Sequence, residues 1–130
     1  MSGELVLIVE DNEMNMKLVR DVLQSWGYRT LEAQTARTAL SLAVAEPPSL
    51  ILMDIQLPDL DGIAALDKLR EHPATASIAV VALTAFAMNE DEQRFLDAGF
   101  DGYLAKPINV REFPSQIRRF CDLAAERTFK

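Results

Sequence analysis

Short apolar runs separated by segments of helical period set the limits on how this chain can fold. The runs are Leu5 to Val9, Tyr28 to Leu31, Leu50 to Met53, Ile78 to Leu83 and a weaker Gly102 to Leu104. Runs this short, apolar without alternation, are expected of strands covered on both faces, and the stretches between them carry apolar residues at three- and four-residue steps. A strand followed by a helix, repeated five times, predicts an α/β fold: a doubly wound, five-stranded parallel sheet with helices on each side.

The helical segments predict their own buried stripes. Met14, Leu18, Val22 and Trp26 are expected to line one face of the first helix. In the second, Ala36, Ala39, Leu40, Ala43 and Val44 form a narrow small-residue stripe suited to close packing on a sheet. The last stripe is Val110, Phe113, Ile117, Phe120 and Ala124. Gly27 and Gly99 stand where C-terminal caps are expected, and Asn89 followed by Glu92 has the spacing of a capping box. Pro114 would cost a hydrogen bond inside a helix begun at Asn109 unless that helix starts late, near Phe113.

At 130 residues the chain has the length of one domain, and these elements use nearly all of it. Residues 1–130 are therefore read as a single domain with no output domain. A formal net charge of -7 disfavours broad adhesion to nucleic acid or anionic lipid, so the expected partners are proteins. Cys121 is the single cysteine, which excludes an intrachain disulfide and a thiolate zinc site and fits a cytoplasmic location. No apolar run approaches the ~20 residues of a membrane span, so no membrane insertion is expected.

In an open parallel sheet, ligands bind beyond the carboxyl ends of the strands. The first run ends at Glu10 and Asp11, the third at Asp54, the fourth at Thr84, and the fifth just before Lys106. Every candidate group thus falls on one rim. Three clustered carboxylates repel one another unless a cation joins them, and Mg²⁺ suits oxygen ligands with exchangeable waters. Asp11 and Asp54 are its expected direct ligands, with Glu10 acting through a water. The Asp54 carboxylate is then a nucleophile for in-line phosphoryl transfer. Lys106, the Thr84 hydroxyl and the Ala85 backbone N–H are placed to meet the phosphoryl oxygens.

Each residue also has a plainer reading. Asp11 or Asn12 could cap the first helix, Asp54 could cap a turn before Pro58, Thr84 could reflect strand propensity and Lys106 a solvated charge. Met14 and Met16 fit core packing and partner contact equally well. Phe86 is expected to be exposed, and His72 to be a helix-end or surface residue without chemistry.

The motifs Leu7-Ile8-Val9-Glu10-Asp11-Asn12, Leu52-Met53-Asp54-Ile55-Gln56-Leu57-Pro58 with Asp61-Gly62, Val81-Ala82-Leu83-Thr84-Ala85 and Lys106-Pro107 resemble the receiver domains of two-component response regulators. The resemblance covers essentially the whole chain. It implies a flavodoxin-like, CheY-like sheet of strand order 2-1-3-4-5, and phosphorylation of Asp54 by a sensor histidine kinase or histidine phosphotransfer protein. It also implies that the Gln56 backbone carbonyl completes the Mg²⁺ shell, that Tyr103 is an aromatic switch coupled to Thr84, and that the Lys106-Pro107 bond is cis. Glu10 to Leu18 and Thr84 to Met88 are most similar to DivK-type single-domain regulators of bacterial cell division and polar development. Output is then expected through protein contact, on the face made by the fourth helix, fifth strand and fifth helix, or on the first-helix face.

The alternatives are a receiver domain cut from a hybrid kinase, a phosphorylation-independent docking module, and a Mg²⁺-dependent phosphatase with an aspartate nucleophile. The phosphatase normally needs a second Asp two residues after the first, where this chain has Gln56. A flavodoxin-like cofactor binder would meet repulsion between its phosphate and Glu10-Asp11. The chain is therefore expected to be a signalling switch that assists its own phosphorylation and dephosphorylation, not an enzyme with an external substrate.

Overall fold

The computed structural model describes residues 3–84, 89–106 and 108–128. Strands and helices alternate along them: β1 (Leu5–Val9), α1 (Glu13–Ser25), β2 (Arg29–Ala33), α2 (Ala36–Ala45), β3 (Leu50–Asp54), α3 (Gly62–Glu71), β4 (Ala79–Thr84), α4 (Asn89–Ala98), β5 (Gly102–Ala105) and α5 (Phe113–Thr128). All pairings are parallel, in the order β2-β1-β3-β4-β5. The doubly wound sheet and its order are those expected.

Each continuous apolar run supplies two opposite faces, because successive strand side chains point to opposite sides. Val6, Ile8, Leu52 and Leu83 pack toward Met16, Val19 and Leu23 of α1 and Phe113, Ile117 and Phe120 of α5. Leu7, Val9, Met53 and Ala82 pack toward the alanines of α2, Leu66 and Leu69 of α3 and Phe95 of α4. Burial of each of the larger side chains among them contributes ~1.5–3 kcal/mol, and of each alanine less. The strand ends are consequently held on a rigid platform.

Several expectations are corrected. The buried face of α1 is Met16, Val19 and Leu23, with Val22 only partly covered, whereas Met14 is 82% exposed, Leu18 is exposed and Trp26 is 62% exposed beyond the last helical residue. A repeated four-residue step drifts around a 3.6-residue helix, so the stripe from Met14 to Trp26 cannot stay on the sheet, and the three-then-four spacing of Met16, Val19 and Leu23 does. The second methionine is core; the first is surface. Val110 likewise lies before α5 and is exposed.

β2 begins at Arg29, one residue later than the apolar run suggested, because Tyr28 closes the α1 cap. The Tyr28 N–H bonds the Leu23 carbonyl and the Gly27 N–H bonds the Gln24 carbonyl, each at 3.1 Å, with Gly27 at φ 89°. Gly99 closes α4 in the same way, its N–H on Leu96 and the Phe100 N–H on Phe95. α5 starts at Phe113, so Pro114 falls in its first turn, where its missing donor costs little. His72 is the C-cap of α3. The proposed Asn89 and Glu92 capping box concerns side chains outside the described residues. Among the described residues no helix is long and apolar enough to cross a membrane.

Candidate functional site

The rim at the carboxyl ends of β1, β3 and β5 gathers the acids and the lysine. β1 ends at Val9, and the Glu10 N–H makes one more sheet-like bond to the Ala33 carbonyl at 3.0 Å. Asn12, not Asp11, caps α1: its Oδ1 accepts the Asn15 N–H at 3.0 Å. The Asn12 N–H in turn donates to Glu10 Oε2 at 3.1 Å. The local capping duty is thus met by the amide, and the Asp11 carboxylate stands exposed beside the cluster.

Asp54 is the last residue of β3 and only 6% exposed. Its Oδ1 accepts the Gln56 N–H at 2.9 Å, so the turn-capping reading is also correct for one oxygen. Its Oδ2 accepts from Lys106 Nζ at 3.0 Å. Lys106 follows β5, and its N–H bonds the Thr84 carbonyl at 2.8 Å, which extends the β4–β5 ladder to the rim and fixes where the long side chain departs. The ammonium also lies 2.7 Å from Glu10 Oε1, an ion pair without hydrogen-bond angles.

Carboxylate oxygens of Glu10, Asp11 and Asp54 lie within 4.8 Å of one another. They open on a cleft of about 540 Å³ whose lining includes Asn15, Gln56, Pro58 and Lys106. Burial pushes the Glu10 carboxyl above the ordinary carboxylate range; Lys106 opposes that rise and the neighbouring Asp54 reinforces it. For Lys106, burial is the largest influence and pulls downward, yet Glu10 and Asp54 together outweigh it and hold the ammonium above its ordinary value. With the carboxylates ionised, one ammonium leaves two negative charges unbalanced. A hard dication would balance them, and the buried Glu10 Oε1, which no donor satisfies with good geometry, suits a water held by such an ion. The donor set therefore fits Mg²⁺.

Of the residues picked from the sequence, Glu10, Asp11, Asp54, Gln56 and Lys106 come together. Thr84 is buried at the end of β4, outside the lining of the cleft. Tyr103 is half-buried on β5, paired in register with Ala82 and packed against the α2–α3–α4 side of the core. Ala85, Phe86 and the Lys106-Pro107 bond lie outside the described residues.

Two features of the β3–α3 loop escaped the sequence reading. A Cβ on Gly62 would stand 2.9 Å from Ile55 Cα, and the Gly62 N–H bonds the Ile55 carbonyl at 2.8 Å, so only glycine permits the loop to close this tightly. Asp59 reaches the first turn of α2, accepting the Ala36 N–H at 2.9 Å and the Arg37 N–H at 3.0 Å. No local spacing announces a bond across 23 residues. These N–H groups, Ala36 foremost, hold the Asp59 carboxyl below the usual range.

A parallel sheet of order 2-1-3-4-5 with an acid cluster and a lysine on its carboxyl rim defines a class, and residues 6–118 match the response regulator receiver domain. The chain belongs to that family and is a response regulator receiver domain of DivK-like type. It is 44% identical over 115 residues to the polar-differentiation response regulator DivK of Brucella ovis, spanning 88% of this chain and 94% of that protein. A solved receiver domain of a sensor histidine kinase from Pseudomonas aeruginosa, with a magnesium ion coordinated in its active-site cleft, has a TM-score of 0.84 at 34% identity, covering 93% of this chain and 99% of its own. A chemotaxis response regulator of Vibrio cholerae gives 0.86 at 25% identity, over 92% and 99%. The family match places the chain among receiver domains and not among flavodoxin-like cofactor binders.

Proposed function

We propose that Asp54 is the phosphoacceptor of a phosphorelay switch, charged in the presence of Mg²⁺ by a sensor histidine kinase or histidine phosphotransfer protein. The observation that carries this reading is the state of the Asp54 carboxylate. One oxygen is fixed by the Gln56 N–H and the other faces Lys106 Nζ at 3.0 Å, at the edge of an open acidic cleft. An Asp54 oxygen would attack in line: the O–P bond forms as the N–P bond to the donor imidazole breaks, and the imidazole leaves carrying the bond pair.

Bound Mg²⁺ would neutralise phosphoryl charge, with Asp11, Asp54 and the Gln56 carbonyl as its protein ligands and Glu10 acting through water. Lys106 would transfer its contact from Asp54 Oδ2 to a phosphoryl oxygen, and Thr84 and the Ala85 N–H would serve the remaining ones. Phosphorylation adds charge and acceptor oxygens, so a conformer that brings Thr84 to them gains free energy and lets Tyr103 pack further inward. Output is by protein contact, through the α4-β5-α5 face or through α1, where Met14 and Leu18 are exposed. The likeness to DivK supports a role in bacterial cell-cycle or polar development control.

Acetyl phosphate labelling tests the acceptor. Wild type is expected to take one base-labile phosphoryl group per chain only with Mg²⁺, and Asp54→Ala none. An Asp54→Ala protein labelled as well as wild type would sink the assignment, and steady release of phosphate would favour the hydrolase.

A further inference from the structure

We propose that Asp59 is a positioning residue for metal binding and phosphoryl transfer: it ties the tip of the acceptor loop to α2 and so holds the Gln56 main chain in place at the Asp54 cleft. This deepens the reading of Asp54 as a Mg²⁺-assisted acceptor and rests on it.

The loop after Asp54 is closed at its base by the Gly62 N–H on the Ile55 carbonyl and by a bridge between Gln56 and Asp61. Its far end is anchored by Asp61, whose Oδ1 caps α3 through the Ala64 N–H at 2.8 Å. Between these points lie Leu57 and Pro58, which line the cleft. Asp59 fastens this tip. Its Oδ1 accepts the Ala36 N–H at 2.9 Å and the Leu60 N–H at 3.1 Å, and its Oδ2 accepts the Arg37 N–H at 3.0 Å.

A helix cap alone does not account for this arrangement. α2 already has a cap from its own sequence, the Thr35 Oγ1 accepting the Thr38 N–H at 3.1 Å. The helix uses Thr35 for one donor and offers its earlier N–H groups to a residue 22 and 23 positions away. Charge-assisted bonds from the N–H groups of a helix first turn are short and directional, and the dipole favours the carboxylate there. What this anchors is the segment whose Gln56 N–H orients Asp54 Oδ1 and whose Gln56 carbonyl is the proposed metal ligand. Ligands held in advance bind without a further ordering cost, and small displacements at such sites cost large factors in rate.

The test is a calorimetric Mg²⁺ titration of the full chain, paired with labelling rates across Mg²⁺ concentration, for wild type, Asp59→Ala, Asp59→Asn and Thr35→Ala. Loss of a group bonded directly to a metal ligand typically weakens metal affinity by ~10-fold or more; Asp59 acts on the Gln56 main chain through the loop, so a several-fold loss is expected of Asp59→Ala. Its labelling rate should recover toward wild type as Mg²⁺ is raised. Thr35→Ala removes a bond from the same helix end and should leave Mg²⁺ affinity unchanged, which separates positioning from general stability. Asp59→Asn keeps one acceptor oxygen and should fall between wild type and Asp59→Ala. It also serves as the test if the alanine variant does not fold.

Unchanged Mg²⁺ affinity in the Asp59 variants overturns the proposal, as does an equal loss in Thr35→Ala. If wild type binds no Mg²⁺ and takes no label, the parent reading of Asp54 falls with it. If wild type does both and the Asp59 variants match it, only this inference falls.

Discussion

The two rims of the sheet handle charge in opposite ways. At the amino-terminal ends of β4 and β5, the Arg70 guanidinium donates to the carbonyls of Ala76, Ile78 and Gly99 and to Asp101 Oδ2. The same Asp101 oxygen accepts the Val80 N–H at 2.8 Å. Donors and acceptors there match, and the result is a clasp between α3 and the α4–β5 turn. At the carboxyl rim, Lys106 answers Glu10 and Asp54 while Asp11 adds further negative charge, and Glu10 Oε1 is left without a well-aligned donor. A matched network stores little that a ligand could release. An unmatched one gains when a cation arrives, and that imbalance is the physical ground for the site proposed on the carboxyl rim.

Breaking the matched network should give the largest change in stability. Arg70→Ala removes the donor to three carbonyls and one of the donors to Asp101, and is expected to lower unfolding free energy by ~1–3 kcal/mol in urea titrations, with acetyl phosphate labelling of the folded fraction unaltered. A smaller loss together with impaired labelling would mean the clasp serves the switch directly.

At the opposite rim the sign should reverse. Asp11→Asn removes an exposed carboxylate from a like-charged cluster and is expected to raise stability by roughly 0.5–1 kcal/mol at low salt without Mg²⁺. Adding Mg²⁺ should erase the gain, because wild type then has its cation and the variant has lost a ligand. Thermal melts with and without the ion measure both effects.

The smallest expected effect concerns Asp59, whose two oxygens both have backbone donors. Its carboxyl is held below its ordinary value of 3.8 by the Ala36 N–H and its neighbours, opposite to the direction at Glu10. A lowered value in the folded state means the contribution to stability is present above pH 3.8 and is lost as pH falls through the lower, folded value. Denaturation followed from pH 5 downward should therefore show a shallower acid limb in Asp59→Asn than in wild type. Superimposable limbs would mean the carboxylate bonds are not formed in solution.

Much of this was legible in the residues themselves. Apolar runs such as Leu50 to Met53 locate a buried strand, so the polar residue that ends each run is placed on the rim without knowledge of the fold's details. That is how Glu10, Asp54 and Lys106 could be grouped from one sequence. Gly27 and Gly99 were readable for a similar reason, since a left-handed turn depends on a single residue's own freedom.

What local sequence could not decide was choice among near-equal local options. α1 offers both Met14 with Leu18 and Met16 with Val19 as apolar faces, and only docking onto the Val6 and Ile8 side of the sheet selects the second. Asp11 and Asn12 are both able to cap the same helix, and its start at Glu13 gives the role to Asn12. The bond from Asp59 to Ala36 and Arg37 exists because α2 and α3 are brought together by packing, a contact whose energy depends on positions far apart in the chain. Short-range physics, apolar periodicity and turn geometry, is written residue by residue. The pairing of distant donors and acceptors is settled only when the sheet assembles and fixes their separation.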